Sequence, residues 1–179
     1  MELFDRERIP FVLMGGLAVN IWGIPRTTFD VDFEIDVPRE KLAAFLASAD
    51  REGFFFEDSF ARGFVDQVAG AHPLVVIQRW SGGRSVHIDL FLAETPFLRQ
   101  VFDRAVTVPV DGVARRVVTA ADLILMKLLA WRAKDRADIQ NVLAVHGVPE
   151  EAYLRSEARS LGVAGRLEEA ISEWRAAGG

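Results

Sequence analysis

Acidic residues alternate with apolar ones in the segment F29-D30-V31-D32-F33-E34-I35-D36. Successive side chains of a β-strand point to opposite faces, so Asp30, Asp32, Glu34 and Asp36 would share one face. The apolar residues between them would face the core, while the row of like charges repels itself. A divalent cation would relieve this repulsion, because Mg²⁺ is bound by one or two carboxylates together with substrate phosphates. The pattern alone is equally typical of an amphipathic strand with a solvated polar face.

A glycine pair, Gly15-Gly16, follows the apolar run F11-V12-L13-M14 and precedes a segment of helical character at 17–22. This order predicts a buried strand, a tight turn and a helix. Glycine lets a ligand approach the backbone closely, and free N–H groups at the start of a helix attract anions. The junction is therefore a candidate phosphate site, with a ligand-free tight turn as the alternative.

Two cations occupy unusual positions. Lys127 interrupts the apolar run L123-I124-L125-M126-K127-L128-L129-A130, and a lone ammonium in such a helix needs either a route to water or an anionic partner. Arg26 lies just before the acidic segment, where it can contact phosphate or hold the carboxylates in place. The charged residues at 132–138 are typical of a solvated helix face with local ion pairs.

Turn and cap signals divide the chain into elements. S81-G82-G83 and D111-G112 predict two hairpins, and P38-REKLAAFLASAD predicts a helix. T119-A-A-D122 has the form of a capping box and introduces one long helical run at 123–135. We therefore predict a core at residues 1–118 and a C-terminal helical part at residues 119–179.

Composition narrows the class of protein. Half of the 179 residues are apolar, which is typical of a globular protein, and charges interrupt every apolar run well short of a membrane span. The charged start MELFDRERIP predicts no signal peptide, and the absence of cysteine excludes thiol catalysis and fits a cytoplasmic location. Because 26 acidic residues outnumber 21 Lys and Arg, a polyanion would have to bind a local basic patch.

The order M14-G15-G16 followed by F29-D30-V31-D32-F33 resembles the signature of the DNA polymerase β nucleotidyltransferase superfamily. Together with D122-LILMKLLAWRAKDRADI, it is similar to the nucleotidyltransferase toxins of abortive-infection (AbiEii-type) toxin–antitoxin systems. The resemblance implies an α/β (α+β) nucleotidyltransferase fold, in which helices flank a small mixed β-sheet and a helical part follows. Leu17 departs from it, because many relatives have a phosphate-binding Ser nearby; backbone N–H groups, Thr27 or Thr28 would have to compensate.

The resemblance also implies a site. Two Mg²⁺ ions would be held by Asp30 and Asp32, and one of them also by a third carboxylate, for which Asp89 in V86-H87-I88-D89-L90 is the candidate. A hydrogen-bonded structural role is the alternative for Asp89, and the same holds for His87 on the same strand face. The predicted catalytic residues are Asp30, Asp32, Asp89 and Lys127, and the predicted nucleotide-binding residues are Gly15, Gly16, Arg26, Thr28 and Asp135.

The implied reaction transfers a nucleoside monophosphate from Mg·NTP to an acceptor hydroxyl. Similarity to the toxins implies that the acceptor is a tRNA 3′ end or a hydroxyl of a cognate antitoxin. Two alternatives stay open: modification of a small hydroxylated molecule such as an aminoglycoside, and a catalytically silent antitoxin or binding module of the same fold. Trp22 and Phe29 are candidates for stacking on the nucleobase, although aromatic residues beside a strand more often belong to the core.

Overall fold

One mixed β-sheet organises the protein, whose computed structural model describes residues 1–68 and 72–178. Its strands are β1 (Phe11–Met14), β2 (Val31–Ile35), β3 (Phe54–Phe56), β4 (Asp66–Val68), β5 (His72–Ser81), β6 (Arg84–Leu92), β7 (Val106–Val110) and β8 (Val113–Val117). The strand order is β3-β5-β6-β2-β1-β8-β7, and β4 pairs with β5 beside β3. The expected α/β (α+β) architecture, in which helices flank a mixed sheet, and both predicted hairpins are confirmed.

Helices flank the sheet, and four of them follow its last strand. The helices in chain order are α1 (Glu2–Glu7), α2 (Gly15–Trp22), α3 (Arg39–Arg51), α4 (Asp58–Ala61), α5 (Pro96–Arg104), α6 (Ala120–Ala130), α7 (Ala133–His146), α8 (Glu151–Ser160) and α9 (Ala164–Ala176), and the last four follow β8. A single cluster of buried apolar side chains runs from α1 and the sheet into α6–α9, so the C-terminal helices share the core of the sheet. No helix of the described chain is long and apolar enough to cross a membrane.

Strand register brings the distant acidic residues together. β1 and β2 are antiparallel, with Met14 opposite Asp32, and β2 and β6 are parallel, with Asp32 opposite Asp89. Directly opposite residues on neighbouring strands point to the same face. The end of β1, the start of β2 and the middle of β6 therefore meet at one place on one face of the sheet.

The predicted single helix at 123–135 is wrong, because the chain breaks between α6 and α7. Trp131 adopts the left-handed conformation, with φ of 52°, and Arg132 is extended. The break is stabilised by Asp135, whose carboxylate accepts hydrogen bonds from the Arg132 backbone N–H (3.1 Å) and from Arg132 Nε (2.7 Å). A second helix N-terminus is thereby created close to Lys127, which lies near the end of α6.

Candidate active site

The Gly15–Gly16 junction brings the backbone against the acidic strand. Gly15 has φ of 59°, and a Cβ there would lie 1.8 Å from Asp32 Oδ2, while a Cβ on Gly16 would lie 2.5 Å from Thr28 Oγ1. The Gly16 N–H donates to Asp32 Oδ2 at 3.3 Å. Only glycine fits at this close approach, and the first N–H groups of α2 have no partner within the helix itself.

Asp32 and Asp89 form a pair of neighbouring carboxylates. Burial raises the pKa of Asp32, and the nearby charge of Asp30 adds to this effect, although the Gly16 N–H and Lys127 oppose it. Burial, followed by the charges of Asp32 and Asp30, raises the pKa of Asp89 to about 6. Such an arrangement stores electrostatic repulsion that a bound cation would relieve. Asp30, just before β2, is exposed at the edge of this pair.

The other two acids of the row do not belong to the site. Glu34 is fully buried, and neither of its carboxylate oxygens has a hydrogen-bond partner among the described residues. Burial raises the pKa of Glu34 to about 9, so this side chain is protonated at neutral pH. Asp36 is paired with Arg99 Nη2 at 2.9 Å. Of the continuous acidic face that the alternation predicts, only Asp30 and Asp32 therefore line the candidate site.

Lys127 lies at the centre of a buried ion network. Its Nζ is 3.1 Å from Asp135 Oδ1 and 2.8 Å from Asp138 Oδ2. Asp138 also accepts two hydrogen bonds from Arg26, from Nε at 2.6 Å and from Nη2 at 2.8 Å. Burial alone would raise the pKa of both aspartates, but hydrogen bonds from the cations outweigh it and lower the pKa of each. Lys127 therefore does not snorkel to water; it ties α6 to α7 and to the segment that precedes β2.

A second lysine, Lys134, is free to meet a ligand. It is exposed, contributes to the same cavity, and makes no ion pair within 4.0 Å in the part of the chain that the structure describes. Arg132 also faces the cavity, although its guanidinium is bonded to Asp135. Sequence reasoning missed both cations, and missed Asp138 as an anchor, because a continuous helix would have placed 132–138 on an ordinary surface.

One cavity of about 500 Å³ contains these groups. All of the predicted catalytic and nucleotide-binding residues line it: Gly15, Gly16, Arg26, Thr28, Asp30, Asp32, Asp89, Lys127 and Asp135. Phe29 also lines it and is 67% exposed. Trp22 is engaged elsewhere, because its indole N–H donates to the Val118 carbonyl at 2.7 Å, and His87 is exposed outside the cavity lining.

The protein carboxylates alone do not form a metal cage. Among the described residues, no group of three or more His, Cys, Asp or Glu side chains is arranged to hold a metal ion by itself. Mg²⁺ requires less, since one or two carboxylates can bind it together with waters and substrate phosphates. The half-buried, mutually repelling pair of Asp32 and Asp89 has the chemistry for such a shared ion.

Family comparison agrees with this geometry. A family model described as "Nucleotidyltransferase of unknown function (DUF6036)" matches residues 2–149, from α1 to just beyond α7. The chain belongs to this nucleotidyltransferase family. The match includes both the sheet that carries the acids and the two helices that carry Lys127 and Lys134. Comparison with curated protein sequences gives no match.

Solved structures show the same fold at low sequence identity. An antigenic nucleotidyltransferase-like protein from Paracoccidioides brasiliensis is 19% identical, with a TM-score of 0.55 over 96% of this chain and 88% of that one. The lincosamide antibiotic adenylyltransferase LnuA, lincomycin-bound, is 13% identical, with a TM-score of 0.55 over 80% and 92% of the two chains. ANT(2″)-Ia in complex with adenylyl-2″-tobramycin is 15% identical, with a TM-score of 0.58 over 89% and 92%. These structures show a shared fold, and the family match supports the nucleotidyltransferase assignment, while the closer relationship to abortive-infection toxins stays a prediction.

Proposed function

We propose that the protein transfers a nucleoside monophosphate from Mg·NTP to a hydroxyl group. The observation that carries this proposal is the juxtaposition of Asp32 and Asp89 with the Gly15–Gly16 helix start in one cavity. A helix N-terminus is suited to phosphate, and the carboxylate pair is suited to the cation that accompanies it. In phosphoryl transfer most of the catalysis comes from positioning and electrostatic stabilisation, and these groups provide both.

Each group has a distinct task in this scheme. The first N–H groups of α2 bind the triphosphate, and Thr28 beside Gly16 supplements them in place of the serine that Leu17 displaces. Asp30, Asp32 and Asp89 would hold Mg²⁺, which would supply charge neutralisation for the triphosphate and for the leaving pyrophosphate. Asp89 also accepts the proton of the attacking hydroxyl.

Among the cations, Lys134 is the better candidate for the triphosphate. A phosphate at Lys127 would have to compete with two carboxylates within 3.1 Å, whereas a phosphate at Lys134 would displace only water. We assign Lys127, Asp135 and Arg26 to holding the two helices and the 26–30 segment around the nucleotide. Direct contact of Lys127 with phosphate, which the resemblance implies, would require this network to open when the nucleotide binds.

The proposed function has several candidate acceptors, and a non-catalytic binding module is the alternative to all of them. A tRNA 3′ end or an antitoxin hydroxyl follows from the toxin resemblance. The structures of LnuA and ANT(2″)-Ia are described with lincomycin and adenylyl-2″-tobramycin, which favours a small hydroxylated molecule. A silent binding module of the same fold would keep the cavity without turnover.

A labelling experiment tests the proposal. Purified protein is incubated with Mg²⁺ and each α-labelled NTP, together with total RNA, with protein or with small hydroxylated compounds, and both the labelled product and pyrophosphate are measured. Asp32→Asn should abolish labelling. Asp36→Asn is the matched control, because it is the same change in the same acidic row but outside the cavity lining, and it should label at the wild-type rate. Full labelling by Asp32→Asn, or NTP binding without turnover on any acceptor, would refute a nucleotidyltransferase that uses this site.

A further inference from the structure

The cavity has an apolar end that the nucleotide-binding groups do not explain. Beyond Asp89 it is lined by Leu74 of β5, Phe91 of β6, and Leu123 and Met126 of α6. Leu74 lies opposite Phe91 in the sheet register, and Phe91 lies two residues beyond Asp89 on the same strand face. We call this end, with His72, the apolar recess. Side chains of β5, β6 and α6 line it.

His72 is the one polar side chain of the recess, and its hydrogen bonding is incomplete. It is only 6% exposed, and its Nδ1 is 3.5 Å from Thr95 Oγ1. Its Nε2 has no hydrogen-bond partner among the described residues. Burial lowers the pKa of His72, so the ring is neutral at physiological pH. A buried ring nitrogen without a partner is costly, and a ligand group in the recess would satisfy it.

The in-line geometry of the proposed reaction puts the acceptor on the same side of the cavity as the apolar recess. In an in-line displacement, the attacking and leaving oxygens lie on opposite sides of the phosphorus. With the pyrophosphate at Gly15–Gly16, next to β1, the attacking hydroxyl must come from the side of β6 and β5. The order β1-β2-β6-β5 across the sheet therefore leads from the triphosphate, past the carboxylates, to Leu74 and His72.

We propose that the apolar recess binds the acceptor, and that the acceptor is a small, uncharged molecule with an apolar body and two polar groups. One polar group hydrogen-bonds to His72 Nε2, and the other is the hydroxyl that reacts beside Asp89. The hydroxyl oxygen forms a bond to the α-phosphorus, the bond from that phosphorus to the β-phosphate oxygen breaks, the proton passes to the Asp89 carboxylate, and pyrophosphate leaves. This assignment rests on the function proposed above and specifies its substrate class.

The recess disfavours the other acceptors. A polycationic aminoglycoside needs anionic partners, yet the side chains of the recess are apolar apart from one neutral imidazole. An RNA end or a protein hydroxyl would arrive on a bulky, polar chain, whereas the recess is lined by the apolar side chains of Leu74, Phe91 and Met126. The match in shape and polarity is to a compact hydroxylated molecule.

Two probes that differ by one hydroxyl test this idea. Tyrosol has an aromatic ring, an alcohol and a phenol, while 2-phenylethanol lacks the phenol that would reach His72. Binding is measured by calorimetry and by the ¹⁵N resonances of the histidine rings, with and without Mg²⁺ and a non-hydrolysable NTP. In wild type, tyrosol should bind about three- to tenfold more tightly than 2-phenylethanol, which is the usual effect of one hydrogen bond.

Two histidine variants test whether His72 causes the preference for tyrosol. His72→Phe keeps a ring of similar size but removes Nε2, so the two probes should bind it equally, while Mg·NTP affinity stays within about twofold. His146→Phe, on an exposed histidine of α7, is the matched control and should behave as wild type. The wild-type comparison of the two probes does not depend on the folding of any variant.

Several results would overturn the assignment. They are equal affinity of the two probes for wild type, no saturable tyrosol binding, a tyrosol preference that survives in His72→Phe, or label from NTP transferred to RNA, protein or tobramycin rather than to neutral hydroxylated compounds. Failure of the nucleotidyltransferase proposal looks different. In that case Mg·NTP does not bind, while the tyrosol preference measured without nucleotide still reports on the recess.

Discussion

Glu34 offers the most quantitative test of the site architecture, because its environment makes stability depend on pH. The side chain is fully buried without a hydrogen-bond partner among the described residues, and burial raises its pKa to about 9. In the unfolded chain a glutamic acid has a pKa of about 4.3. Between these values the folded state holds a proton that the unfolded state has lost, so the free energy of unfolding falls as pH rises.

The size of the effect follows from this window. Each pH unit costs about 1.4 kcal/mol, so at pH 7.5, roughly three units above the unfolded pKa, the penalty is about 4 kcal/mol. Glu34→Gln keeps the shape and cannot ionise. Relative to wild type, its free energy of unfolding should therefore increase by about 1.4 kcal/mol per pH unit between pH 5.5 and 8.5, whatever constant offset the buried amide adds.

Urea unfolding at pH 5.5, 7.0 and 8.5 measures this difference. Glu40→Gln, on the exposed first turn of α3, is the matched control and should show no pH-dependent gain. A difference between Glu34→Gln and wild type that stays constant with pH would show that the native carboxyl is ionised over this range. Glu34 would then be charged like the cavity-lining Asp30 and Asp32, and the assignment of Glu34 as a protonated core residue would be wrong.

Three further predictions concern the cavity. Gly15→Ala should lower transfer by at least ~100-fold because its Cβ would displace the Asp32 carboxylate, whereas Gly82→Ala, with the same φ of 59° but nothing within 4 Å, should cost only stability; equal activities in a labelling assay would contradict this. Lys127→Met should destabilise the fold by about 3 kcal/mol in urea unfolding, because two buried carboxylates lose their cation, while Lys134→Met should leave stability unchanged and weaken Mg·NTP binding in calorimetry. A Lys127→Met variant that stays stable but loses NTP affinity would show that Lys127 contacts the phosphate. Asp89→Asn should keep Mg·NTP affinity within a few fold but lower single-turnover transfer by at least ~100-fold, and unchanged transfer would remove this carboxylate from the mechanism.

The ion network makes the cavity depend on helices outside the sheet. Asp138 of α7 accepts hydrogen bonds from Arg26, and Arg26 in turn precedes the segment that carries Asp30. The backbone of Arg26 is also held by Asn20, whose side chain both accepts from its N–H at 2.8 Å and donates to its carbonyl at 2.9 Å. The position of the acidic segment is therefore set jointly by α2 and α7, and a substitution in either helix can move Asp30 and Asp32 without touching them.

Local patterns were enough to predict the parts of the site that depend on neighbouring residues. The alternation around Asp32, the glycine pair after an apolar run, and the turn dipeptides of both hairpins each reflect constraints that act over a few residues. Asp89 could be named only through resemblance to a family, because no local signal pairs it with Asp32. The structure then placed all of the predicted site residues around one cavity.

Tertiary structure decided which charges are available. Asp32 and Glu34 have the same strand spacing, yet the first lines the cavity and the second is sealed beneath the helices, because burial depends on what packs over each position. The sequence marks Lys127 by its apolar neighbours and gives Lys134 only as one charge in a cluster, but the break at Trp131 turns α7 so that Asp135 and Asp138 reach Lys127 and leave Lys134 exposed. The recess at His72 likewise exists only because β5, β6 and α6 meet there. Contacts between residues far apart in the chain carry no local periodicity, so the sequence by itself determined the chemistry of the groups and the fold determined which of them can act.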